Sequence, residues 1–95
     1  MVALHLPRFV LGELVVTPSA ATAIRRAGHN MWEFVARHAR GDWGEVSDSD
    51  HQANDLAIAT GDRILSAYTT NVGELIWIIT EADGYSTCIL LPAEY

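Results

Sequence analysis

The residues able to do chemistry fall in two short stretches and a scatter of acids. Arg37, His38 and Arg40, joined by the later Arg63, are the types an RNase-like site uses. In such a site a histidine or glutamate base takes a proton while cations hold the phosphate. The ingredients are present, but no spacing ties them together, and helix-face solvation or core packing accounts for His38 more simply. Asp48, Asp50, His51 and Asp55 are dense in metal-ligand types. An EF-hand loop read from Asp48 fails, because Gln52 and Ala53 fill the third-ligand and glycine positions and Ala59 stands where the bidentate glutamate belongs. His51 and Asp55, four apart, share one helix face, and two ligands do not make a site. The set reads as a solvated, well-capped helix start, with no metal or cofactor expected.

Other catalytic signatures are missing. Cys88 has no base nearby in sequence and reads as a reduced, strand-borne small hydrophobe, which fits a reducing cytoplasm. Ser66 and Ser86 lack a GxSxG elbow, and neither GxGxxG nor a P-loop occurs. Glu81 and Asp83 flank the last expected hairpin. Of the three tryptophans, Trp32 flanks a helix face, Trp77 lies in an apolar strand and reads as core, and Trp43 sits in a loop. Trp43 either plugs one end of the core or anchors an interface.

The scaffold for these residues centres on Gly61 to Tyr95. Three runs rich in β-branched, aromatic and aliphatic residues predict strands: Ile64 to Thr69, Leu75 to Thr80, and Thr87 to Leu91. Thr69 to Gly73 and Asp83-Gly84 are the turns between them, and Pro92 ends the last strand. The middle run is apolar on both faces, which predicts a central strand covered twice, with the upstream helices as covers.

Upstream, Met1 to Leu6 reads as a loose end and Phe9 to Val16 as a first strand, with Gly12 a bulge. Thr17-Pro18 opens a helix that Gly28 stops. Asn30 opens another, with Glu33 completing a capping box and Gly41 ending it. Met31, Phe34, Val35 and His38 share its apolar face. A third helix begins either at Ser47 with Asp50 or at Ser49 with Gln52, places Ala53, Leu56, Ala57 and Thr60 on one face, and ends at Gly61. The expected fold is one α+β domain over 1–95, with an antiparallel sheet of about four strands, three short helices and the order β-α-α-α-β-β-β.

Charge narrows the partners. The net charge is −6 and lysine is absent. Arg25, Arg26, Arg37 and Arg40 cluster early, and only Arg63 follows. Direct binding to nucleic acid needs a basic surface, so it is not expected. An acidic surface suits solubility or a protein partner with a basic surface. On the second reading Asp42, Glu45, Asp48, Asp50, Asp55, Asp62, Glu81 and Asp83 form the contact surface, and Trp43 is its anchor. The first residues carry no basic region before their apolar ones and no long apolar run, so neither a signal peptide nor a membrane span is expected. The long apolar strand also admits a homo-oligomer paired edge to edge.

Four blocks carry a family resemblance: Arg37 to Gly44 (RHARGDWG), Gly61 to Tyr68 (GDRILSAY), Trp77 to Asp83 (WIITEAD) and Leu90 to Tyr95 (LLPAEY). Together they resemble a family of small proteins, without assigned chemistry, carried on bacterial plasmids and integrative elements. The match covers most of the chain from Gly12 onward. Some members bear the label "type I restriction subunit M". This chain is too short for a methyltransferase domain and has neither a glycine-rich cofactor loop nor an NPPF-like motif. Where relatives tend to have Arg-Ser after Glu-Ala-Asp, Gly84-Tyr85 stands here, which sharpens the hairpin and removes a cation. The resemblance implies a mobile-element context, and an acidic surface in that context suits an accessory or anti-defence factor that binds and occludes a basic, nucleic-acid-handling partner.

Overall fold

A computed structural model describes residues 7–95. The strands are β1 (Glu13–Val16), β2 (Ile64–Thr69), β3 (Leu75–Thr80) and β4 (Ser86–Leu90), and the helices are α1 (Pro18–Arg26), α2 (Met31–Ala39) and α3 (Asp48–Thr60). The order β-α-α-α-β-β-β and the α+β class are those expected from the sequence. Met1 to Leu6 lies outside the described residues.

Each helix starts where its capping chemistry puts it. The Thr17 hydroxyl accepts from the Ala20 amide with Pro18 in the first turn. Asn30 Oδ1 accepts from the Trp32 amide, while the Asn30 amide donates to Glu33 Oε1. For α3 the open choice resolves to Ser47, whose Oγ accepts from the Asp50 amide at 3.1 Å. Each such cap is worth about 1 kcal/mol.

The sheet runs β1-β4-β3-β2. β2, β3 and β4 form the expected antiparallel meander, but β1 pairs parallel with β4, so the sheet is mixed rather than antiparallel. The outer edge of β2 is already taken. Asn54 closes it by accepting from the Leu65 amide and donating to the Leu65 carbonyl, at 3.1 and 2.7 Å. The segment around Gly44 closes it further along, through Ala67 N–H to the Trp43 carbonyl and Glu45 N–H to the Ala67 carbonyl. That leaves the edge of β4 for β1. Gly12, at φ +65°, lies where a Cβ would collide with the Gly84 and Tyr85 carbonyls. Next to it the Glu13 amide donates to the Tyr85 carbonyl, and β1 runs from there in the same direction as β4. The first strand is shorter than expected and begins at Glu13 instead of Phe9.

One face of the sheet carries the main core. Ile76, Ile78, Ile89 and Tyr68 meet Ala20, Ala23 and Ile24 of α1 and Phe34 and Val35 of α2. Fully burying each of the larger side chains contributes about 1.5–3 kcal/mol. The small alanines of α1 allow it to sit close. A second cluster joins Trp43, Ala57 and Ile64, with Phe9, Val46 and Ile58 packed on it.

Three expectations about packing need correction. β3 is central, yet α1 and α2 cover only its Ile76–Ile78 face. The opposite face meets the C-terminal 3₁₀ turn Pro92–Glu94, and Trp77 there is half-buried against the Tyr95 ring at 5.8 Å between centroids. The buried side of α3 is Asn54, Ala57 and Ile58, while Ala53, Leu56 and Thr60 are exposed. Leu56 gives way because Asn54 must face β2 to close its edge. Lastly, β3 has strands on both sides and offers no edge to a second copy.

Candidate functional site

Two polar assemblies meet at the Thr80 end of β3. One is closed. His38 comes from the last turn of α2 and is 0% exposed. Its Nδ1 lies 2.5 Å from Ser66 Oγ, and its Nε2 lies 2.8 Å from Thr80 Oγ1. Thr80 Oγ1 lies 2.7 Å from Thr87 Oγ1, which donates to the Leu11 carbonyl at 2.7 Å. The proton directions follow from that last bond. A carbonyl only accepts, so the single Thr87 proton goes to Leu11, and Thr87 must accept from Thr80. Thr80 has then used its proton and must accept from His38 Nε2–H. Burial pushes His38 down to about 4, so the ring is neutral and Nδ1 accepts from Ser66. The chain is fully satisfied, and no buried side-chain polar atom among the described residues lacks a partner. Phe9 and Trp43 pack edge-on against the imidazole.

A general base must reach a substrate proton. His38 has no exposed surface, and both of its nitrogens are committed within the fold. Its expected companions are elsewhere. Arg37 and Arg40 converge on Asp42, with Arg37 Nε 2.7 Å and Arg40 3.8 Å from Asp42 Oδ2. The Arg37 guanidinium also lies over the Tyr68 ring at 4.5 Å. Arg37 holds the Asp42 carboxyl below the usual carboxylate range. Arg63 stacks on Tyr95, whose ring meets Trp77 on the sheet face opposite Ser66 and Thr80. The structure does not bring the four nuclease candidates together.

The second assembly is open. A cleft of about 280 Å³ lies where the end of α3 meets the β3–β4 turn. Phe9, Ala57, Ile58 and Ile64 give it apolar walls, Thr80 also lines it, and Asp62, Glu81 and Asp83 stand around it. Local structure places each acid. Gly61, at φ +79°, ends α3 in the left-handed conformation and turns Asp62 outward, where the Thr60 hydroxyl donates to it at 2.8 Å. The connection from β3 to β4 is longer than a two-residue hairpin. Glu81 N–H donates to the Ser86 carbonyl, and a 3₁₀ turn at Ala82–Gly84 bridges the gap. Asp83 takes φ +66°, which aspartate tolerates better than most residues. Its amide donates to the Gly61 carbonyl at 2.8 Å and ties the turn to the helix end.

The remaining expected contact residues are dispersed. Asp48 and Asp50 sit in the first turn of α3, where the helix dipole favours them. Asp55 accepts from the Trp43 indole N–H at 2.9 Å and lies 3.4 Å from His51. Glu45 accepts from the Thr69 hydroxyl. Trp43 itself is 1% exposed, so its ring is a core plug and not a surface anchor. Among the described residues no three His, Cys, Asp or Glu side chains are placed to hold a metal ion. No described helix is long and apolar enough to cross a membrane. Cys88 is half-buried, and burial pushes its thiol up.

Sequence reasoning missed Asn54, Phe9 and Ile58, and the partners of His38. Ser66, Thr80 and Thr87 did carry a signal, as hydroxyls within strongly apolar strands. Comparison with protein-family models, with curated proteins and with solved structures returned no match.

Proposed function

We propose that this chain is a binding protein that engages a partner with a basic surface, without catalysis of its own. The observation that carries this reading is a segregation of charge. Arg37 and Arg40 are held by Asp42, and Arg26 reaches Glu74 at 3.4 Å. In contrast, no arginine or histidine of the described residues pairs with Asp62, Glu81 or Asp83. Asp48 and Asp50 add negative charge at the opposite end of α3, whose thirteen residues span about 20 Å. A partner that handles nucleic acid carries the complementary basic surface. We further propose a mobile-element setting for the chain, in which such binding would serve an accessory or anti-defence role through occlusion of the partner.

The test is capture of host proteins by the purified chain at low and high salt. Retention of basic proteins should fall with salt and with reversal of charge at Asp48, Asp50, Asp62 and Glu81, because contacts between opposed charges are screened. Partners indifferent to both changes would overturn the reading.

A further inference from the structure

We infer that the cleft between the end of α3 and the β3–β4 turn is a receptor for one lysine or arginine side chain from the basic partner. The inference rests on the binding function proposed above and names the place and chemistry of its central contact.

The cavity has the two-part character of such a side chain. Phe9, Ala57, Ile58 and Ile64 supply apolar walls for a methylene stem. Asp62, Glu81 and Asp83 supply negative charge for the head group. Long cationic side chains bury their stems along apolar surface while the charged end stays in a polar setting. The volume, about 280 Å³, falls below the usual range for drug-sized ligands and suits a single side chain.

The helix adds to the field. The C-terminus of α3 points into this corner with its partial negative charge, and no basic residue occupies its last turn. Helices commonly place a cation there, and this one leaves the position for a group from outside. The turn is built to stay in place, since Asp83 N–H is fixed to the Gly61 carbonyl and Gly84 N–H to the Glu81 carbonyl. An extended cation fits better than a divalent ion, because no three acidic, histidine or cysteine side chains of the described residues converge on one point.

The experiment uses the isotope-labelled full chain and three small probes, followed by amide NMR. The probes are Nα-acetyl-lysine methylamide, Nα-acetyl-arginine methylamide and the neutral Nα-acetyl-norleucine methylamide. The cationic probes should give saturable shifts at Ile58, Gly61, Asp62 and Gly84, with norleucine about tenfold weaker, a difference of about 1.4 kcal/mol. Glu81→Gln with Asp83→Asn should abolish the difference between lysine and norleucine, and Asp48→Asn with Asp50→Asn should preserve it. Norleucine binding as well as lysine would overturn the inference. So would cationic shifts spread evenly along α3, although that result would leave the acidic binding function standing. If neither the cationic probes nor polylysine shifted any amide, both the inference and the function it rests on would fall.

Discussion

The His38 chain and the acidic cleft share Thr80, yet they treat polar groups in opposite ways. In the first, a histidine and three hydroxyls are removed from water and every donor has an acceptor. In the second, three carboxylates stand at the surface beside an apolar cavity, with no cation of the described chain paired to them. The difference shows why residue type alone misleads. A histidine without exposed surface, holding two internal bonds, supports the fold. An acid left without a counter-charge beside a cavity is available to a partner.

The largest expected effect lies in the closed assembly. His38→Ala removes a buried ring and orphans the Ser66 and Thr80 hydroxyls. Its cost should be about 3–5 kcal/mol, measured by denaturant unfolding. A loss below about 1 kcal/mol would mean that water or repacking replaces the imidazole without penalty.

Acid should expose the same group next. His38 titrates near 6.5 when unfolded and at about 4 when folded. Its contribution is fully present above pH 6.5, where both states are neutral. As the pH falls towards 4 the unfolded state takes up the proton first, so stability drops by about 3 kcal/mol across that window. Asp42, held below the usual carboxylate range by Arg37, adds its loss at more acidic pH. Unfolding curves collected from neutral pH to the acid limb should show this slope, and His38→Leu should flatten the part near pH 6.

A third change tests the edge of the sheet that positions the cleft. Asn54→Ala breaks both bonds to the Leu65 backbone and should cost about 1–3 kcal/mol. Hydrogen exchange of the Leu65 amide should rise more than that of Ile78, which is paired within the sheet.

The smallest effect belongs to the open assembly. Asp62→Asn, Glu81→Gln and Asp83→Asn should each change stability by no more than about 0.5 kcal/mol, since these surface groups support no buried network. Asparagine tolerates the φ of +66° at position 83, which keeps that substitution conservative. A loss of several kcal/mol would move these acids into the structural class and remove the contrast with His38.

Much of the chain was legible before its fold was known, and the legible part shares a cause. Thr17, Asn30 and Ser47 cap helices through bonds to amides two or three residues away, so the signal and its consequence lie in one short stretch. The apolar run Leu75 to Thr80 became a central strand for a similar reason, because a ribbon apolar on both faces is stable only between neighbours. The candidate site was legible only as a supply of acids. Asp62, Glu81 and Asp83 stood in the sequence with nothing to separate them from Asp42 or Asp55. Trp43 carried no mark of its burial, which follows from the Asp55 carboxylate meeting its indole N–H and from Phe9 and Val46 packing on its cluster.

Composition and local pattern thus determined the three strands of the meander, the three helices, the caps of α1 and α2 and the negative charge of the molecule. Tertiary structure alone decided the parallel seat of β1, the partners of His38 and the meeting of Asp62 with Glu81 and Asp83. Those three results join residues far apart in the chain. Pairing and desolvation energies depend on the distance between groups in space, and chain spacing does not encode that distance once the backbone has folded back on itself.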